Sequence, residues 1–522
     1  MGLPSSLVLE LRSDQGNNLN GGAFDPSVTS PGTDLTYPVS SPISYSDLTI
    51  AATTTNVSSA ARAFIAADVG NTINITSGTG FTAGRYSVRS VAAGVATLDA
   101  AVGTAGSTAG VGTLGGAWGT YDGLMAYLGS LSTQVAGWTI WVRLASGYTS
   151  TTLAPTYSCN GSAALRINYR GYGTARGDAG VPTITASGLS YILYTASYWT
   201  VRQIKLTAGA SPGAQRGFVL GGESVRAEDC FASGMTGGSG FSSDIPGQCL
   251  MTRCYASNCQ TGFVTQSYAH FLSNCVAETC VTGFNLNGSA ANGADMSYLL
   301  ATNCTGDGFV ITSSLILYNC VSTGSGLNGF NYTGNGASDF MRLINCYAGQ
   351  SGAYGFKTNV PAIVNSQEFR TCGFYSSTSG HTNLTPALPA TCVALSAAPF
   401  VNAASSDYRL NNAAGGGALL RAAGVPITLG PAWMTPWNTV ANAADIGVYQ
   451  HATPPLGLVV NATGTNPVLT WDADSRAVTG YVISRGTTAT NKADIATVAL
   501  ATTTYTDTTA TSGTFFYGVA SY

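Results

Sequence analysis

The chain has 522 residues and a formal net charge of −3, and only 9% of its residues are Asp, Glu, Lys or Arg. That balance, without a basic block or acidic tail, argues against capture of nucleic acid or of an anionic membrane by charge, and no apolar run reaches the ~18 residues of a membrane span. With 65 Gly, 45% apolar and 10% aromatic residues, the composition favours strands joined by tight turns and is not that of a disordered chain. In chain order, the first 25 residues contain "NGGAF" from Asn20 to Phe24. They lack the basic start and apolar core of a secretory signal. Residues 64–103 read as four short strands with Gly turns, a small β-module inserted near the start of the fold. "GTYDGLMAYLGSLSTQ" then supplies a short amphipathic helix over roughly 120–132, and "WTIWVRLASG" a strand after it.

From there a repeat takes over. A Gly-Phe pair recurs at Phe241, Phe263, Phe284, Phe309, Phe330 and Phe356, at intervals of 22, 21, 25, 21 and 26. Upstream of it a Cys recurs at Cys230, Cys254, Cys275, Cys304, Cys320, Cys346 and Cys372, preceded by Asn at 274, 303, 319 and 345. A period of 20–26 residues with short alternating strands predicts a β-solenoid, in which no coil buries its own inner face and stacking builds the core. Each Phe is expected to point inward and stack on the next coil, with its Gly at a bend or positive φ. The Cys then reads as a small hydrophobe stacked at one register. Zinc needs ligands that converge, which a ladder along an axis does not supply; ladder neighbours also carry parallel Cβ vectors, which disfavours disulfides. The expectation is free thiols and no metal or cofactor.

This coil pattern resembles the right-handed parallel β-helix proteins of the pectin-lyase-like superfamily. The closing stretch is similar to theirs as well: Pro399-Phe400, Asp407-Tyr408-x-Leu410 and Asp445-Ile446-Gly447 follow in the same order, with Gly417-Ala418-Leu419 where such proteins usually carry Ser-Pro-Ala. The resemblance implies that the helix near 120–132 caps the solenoid, and that the coils run from about 138 to 450, ~13 of them at ~24 residues each. After "HATPPLG" the composition shifts, and residues 456–522 resemble a fibronectin type III domain, with Trp471 on its second strand, Tyr481 on its third and the last strand missing. The fold class read from the sequence is therefore all-β. An N-terminal β-rich region (1–118) carries the inserted module, a right-handed parallel β-helix with its capping helix spans 119–450, and a β-sandwich closes the chain at 456–522.

Proteins of this shape that cut polysaccharides use Asp-bound Ca²⁺ with a basic residue, or two or three carboxylates on one face. The carboxylates of the coils are scattered, and the local cluster is Glu223, Glu228, Asp229 and Asp244, with Arg226 and Arg253 nearby. Glu228 and Asp229 are adjacent, so on a plain strand they point to opposite sides; Asp229 also takes the register of the repeating Asn and so suits a turn. These four are the candidate catalytic residues; against them stands the reading of solvated or turn-capping acids. His270, His381 and His451 are dispersed and form no triad. The family resemblance, with Gly/Ser/Thr/Asn-rich composition and no signal, leads to the expectation of a bacteriophage virion protein, a β-helical appendage of head or tail. Its expected partners are other virion proteins, copies of itself as a trimer, and host-surface polysaccharide, with neither nucleic acid nor membrane. A tailspike-like depolymerase and a bacterial surface adhesin are the alternatives.

Overall fold

The computed structural model describes residues 8–24, 42–130, 137–151, 159–209, 215–243, 248–287, 295–334, 341–359, 367–383, 389–428, 440–441, 446–447, 459–461, 466–471, 480–487, 493–510 and 514–521, less short gaps at 15, 22, 52, 70, 145–146, 175, 179, 187–190, 267–269, 412, 422, 426 and 500–501. From Ile167–Tyr172 to Gly380–Thr382 each coil lays one strand in each of three parallel sheets. The first sheet runs from Thr139–Arg143 to Gln367–Arg370, the second from Tyr148–Ser150 to Val393–Ala394, and the third from Tyr191–Thr195 to Gly380–Thr382. Among the described residues the third stacks nine strands, hence eight coil-to-coil steps. This is the parallel β-helix that the repeat predicts.

Two of the turns pivot on a single left-handed residue. Between the first and second sheets the pivots are Gln203, Asp229, Arg253, Asn274, Tyr298, Asn319, Asn345 and Thr371, all with φ between 51° and 57°. Between the second and third sheets they include Asn258, Thr279, Asn303, Gly324 and Gln350. A short polar side chain tolerates this conformation best, which explains the recurring Asn. The residue after each pivot turns into the core. After the first turn these are Ile204, Cys230, Cys254, Cys275, Leu299, Cys320, Cys346 and Cys372; after the second they include Met235, Cys259, Cys280, Cys304 and Ser325, all buried. There are thus two ladders where one was expected. Cys304 belongs to the second, and Leu299 fills its place in the first.

All twelve cysteines are free thiols, and all but Cys392 are buried. Their Sγ atoms face backbone carbonyls: Cys275 Sγ lies 3.5 Å from Met251 O and 3.5 Å from Ser273 O. A hydroxyl in that place keeps an acceptor, so Cys275→Ser should cost only about 1–2 kcal/mol, chiefly desolvation. Equilibrium unfolding under reducing conditions checks the value; a loss well above that range would mean the carbonyls do not serve the hydroxyl.

The six phenylalanines, joined by Phe218, form a stacked column with ring centroids 4.5–5.3 Å apart and planes within 19° of parallel. None of the glycines before these Phe has a positive φ; Gly308 and Gly329 lie at bends, the others in strands, and crowding gives a further reason for them. A Cβ at Gly262 would sit 2.6 Å from Gly283 O and 2.8 Å from Ala277 Cβ; one at Gly283 or Gly329 would lie 2.5 or 2.6 Å from the next glycine carbonyl, and one at Gly240 2.9 Å. The inner Ala column of the second sheet packs against bare backbone there.

At the N-terminal end, Val8–Leu11 pairs in parallel with Thr139–Arg143 and in antiparallel with Ala23–Phe24. The inserted module is a closed barrel. Its strands are Ile43–Ile50, Asn56–Ser58, Thr72–Ser77, Gly84–Ala92, Val95–Leu98 and Gly110–Leu114. Only three of them fall within 64–103, where four were expected, because flanking segments supply the strands that close it. The helix Tyr121–Ser130 follows and buries Tyr121, Leu124, Met125 and Leu128 against the first coils, as a cap should.

The segment after 394 does not continue as coils, which reduces their number below the ~13 expected. Phe400–Asn402 and Asp407–Leu410 pair as an antiparallel hairpin. Phe400, Tyr408, Leu410, Leu420 and Ile446 cover the outward residues Leu300, Val321 and Tyr347 of the second sheet. The pivot asparagines hold it: Asn345 Nδ2 donates to Val425 O at 2.8 Å, and Asn319 Nδ2 to Gly447 O at 3.0 Å. Beyond it, Val459–Asn461, Val468–Thr470 and Thr504–Thr506 form one antiparallel sheet, and Gly480–Gly486, Ala493–Ala499 and Phe516–Ser521 another. Leu469, Trp471, Tyr481, Ile483 and Val519 make their shared core. Phe516–Ser521 pairs with Gly480–Gly486 and stands at the edge of its sheet among the described residues.

Candidate functional site

In-register stacking puts alternate side chains of successive coils into rows on the outside of the first sheet. One row reads Trp141, Arg170, Arg202, Glu228, Thr252, each opposite the next. The row beside it reads Asn168, Thr200, Arg226, Leu250. Like charges directly opposite repel, and Arg170 stands opposite Arg202. The site's geometry shows how that is met.

Glu228 is 4% exposed and lies 2.9 Å from Arg202 Nε and 4.0 Å from Arg253 Nη2. Arg253 forks onto Asp229 with bonds of 2.6 and 2.8 Å. The left-handed pivot at Asp229 brings both adjacent acids to the outer side, against one guanidinium. Arg170 lies over the Trp141 ring, 5.2 Å from its centroid, and its Nε is buried without an acceptor. Arg166, from the preceding turn, donates to Thr200 Oγ1 and Trp199 O at 2.9 Å each, and to Ser224 O. It also lies 6.0 Å from the Tyr198 ring centroid. Burial, with Arg226 close by, pushes the Arg166 guanidinium down to about 10, and burial together with Arg202 lowers Arg170. Burial pulls Arg253 down too, but its fork onto Asp229 outweighs that and the net shift is up.

Glu223 sits exposed in the turn before this strand, where its backbone N–H donates to Ser197 Oγ at 3.0 Å. Asp244 lies outside the described residues. The cluster therefore brings Glu228 and Asp229 together but presents neither as a free carboxylate. Elsewhere on the coils, Glu278 receives the Tyr255 hydroxyl, Asp307 accepts from Asn328 and Asn331, and Glu368 pairs with Arg342 at 3.2 Å. His270 is wholly buried, with Nε2 2.7 Å from Gln266 O and 3.1 Å from Ser243 Oγ, and burial lowers its pKa. His381 lies against the Phe374 ring with centroids 4.1 Å apart, and His451 is outside the described residues. No cluster of three or more His, Cys, Asp or Glu suited to a metal ion occurs among the described residues.

Two solved structures similar to the chain are catalytic domains of GH87 alpha-1,3-glucanases. One, in complex with nigerose, is 11% identical with a TM-score of 0.27, covering 68% of this chain and 91% of that one. The other, from Streptomyces thermodiastaticus, is 11% identical with a TM-score of 0.25, covering 65% and 84%. Neither a family model nor a curated protein matches the chain.

Sequence reading found Glu228, Asp229, Arg226 and Arg253 but missed Arg166, Arg170, Arg202, Trp141 and Tyr198. Their signal was alternation in "INYRGY" and "WTVRQI", which marks Arg170 and Arg202 as outward positions on consecutive coils.

Proposed function

We propose that the chain is a structural, glycan-engaging β-helical appendage of a bacteriophage particle that binds polysaccharide without cleaving it. The supporting observation is the outer face of the first sheet. Its two adjacent acids are occupied by guanidinium groups, and Glu228 is nearly covered, whereas hydrolysis needs a carboxylic acid and a second carboxylate both open to the sugar. Arginines and aromatic rings remain on that face to hold a sugar chain. The virion setting follows the sequence resemblance, as do the fibronectin-like reading of the C-terminal sheets and a C3 homo-oligomer built on a sparsely charged coil surface.

The test is direct. The purified full chain is incubated with host-surface polysaccharide, and reducing ends and unsaturated uronates are followed while cosedimentation measures binding. Binding without cleavage is expected, with a solution mass of three chains. Turnover that disappears in Glu223→Gln would replace the binding role with a depolymerase, and a stable monomer would remove the trimer.

A further inference from the structure

We infer that the outer face of the first sheet, between Trp141 and Arg226, is a binding site for a carboxylate-bearing polysaccharide laid along the coil axis; this rests on the glycan-binding reading above. Four guanidinium groups, Arg166, Arg170, Arg202 and Arg226, occupy adjacent positions in three consecutive coils. Glu228 meets one of them, Arg202, whose side chain remains 35% exposed. Arg166 is satisfied by neutral oxygens alone. Arg170 has an aromatic face beside it and a buried Nε with no acceptor. Arg226 is half-buried and opens onto the same face. The cluster thus carries more positive charge than its own acids neutralise, in a chain that is net negative.

A guanidinium fork matches a planar carboxylate with two parallel hydrogen bonds, and stacked coils repeat that fork about every 4.8 Å. Trp141 and Tyr198 are half-buried, so each leaves ring surface open beside an arginine. Sugar rings between the carboxylates can lie against those surfaces. Such a ligand alternates charge with apolar ring faces, as the site does. A polynucleotide or polyphosphate brings denser charge, which four arginines on a net-negative chain match poorly.

The experiment measures binding of the full chain to alginate, with neutral dextran, polyphosphate and single-stranded poly(dT) as comparison ligands, at low and high salt. The intact protein should retain alginate in preference to all three, with affinity falling as salt rises. Arg170→Gln/Arg226→Gln should weaken alginate binding by about tenfold or more while the unfolding midpoint stays near that of the intact chain. Undiminished alginate binding by the double variant overturns the site, as does equal or tighter binding of polyphosphate or poly(dT). Binding of dextran alone, unchanged in the variant, overturns the anionic ligand and leaves the glycan-binding reading standing. Failure to bind any of these or the host polysaccharide overturns both.

Discussion

Phe284→Ala, in the interior of the column of rings, is expected to lower stability by about 4 kcal/mol. Phe284 is fully buried, with neighbours at 4.9 Å on the Phe263 side and 4.8 Å on the Phe309 side. Removing a buried ring from a close-packed core costs roughly 3–5 kcal/mol in transfer and cavity terms. The two stacked contacts it forfeits lie within that total and push it towards the upper half. Relaxation is restricted because the Gly-Ala contact beside it is already tight: a Cβ on Gly283 would lie 2.5 Å from Gly308 O. Each coil touches only its neighbours, so the damage should be local in a solenoid. Hydrogen exchange should show lost protection in Thr261–Thr265, Thr282–Leu286 and Phe309–Ile311 first, and chemical unfolding should show the whole loss. Phe218→Ala is the comparison, because Phe218 heads the column and stacks on one ring, Phe241, at 4.7 Å. Equal losses at Phe218 and Phe284 would show that stacking along the axis adds nothing to burial.

That column was legible in the sequence because Phe repeats on one register and no other residue type competes for it. The thiols were legible as buried but not in their arrangement. Both turns end in the same local pattern, a left-handed pivot and then a small inward residue, so Cys304 was aligned with the wrong set. The intervals of 29 and 16 around it were the sign. Reading Leu299 in its place gives 24 and 21, in step with the rest. The glycines were expected at a bend or a positive φ, and Gly308 and Gly329 do lie at bends, but the crowding by the Ala column depends on a partner sheet that no local pattern announces. The closing segment kept its motif, Phe400 to Leu410, but lies outside the second sheet, where Tyr408 meets Thr302 through their hydroxyls. The row of arginines was the hardest to see. Arg170 and Arg202 are 32 residues apart because a loop lengthens that coil, and only strand pairing puts them opposite each other.

Glu228→Gln should cost about 2–3 kcal/mol, and the loss should shrink at high salt. Glu228 is the acid that answers Arg202 and stands 4.0 Å from Arg253. Replacing it with a neutral amide leaves the adjacent guanidinium groups of Arg170 and Arg202 facing each other without a counter-charge. Removing one partner of a buried ion pair costs about 3–5 kcal/mol. Here Arg202 is 35% exposed, and Arg253 keeps its fork onto Asp229, so solvent and the second acid take back part of that. Repulsion between partly exposed charges is screened over roughly 3 Å at molar salt, which separates it from a packing defect that salt would not mend. Arg202→Gln in the same chain removes the charge left behind and should restore much of the loss, giving a favourable coupling in a double-mutant cycle. The same variant bears on function in two ways. With one negative charge fewer, the face should hold alginate more tightly than the intact chain at low salt. A folded Glu228→Gln protein that had lost a measured depolymerase activity would instead make this acid part of a catalytic pair. Unchanged stability in low salt would mean that Glu228 does not hold the arginine row together.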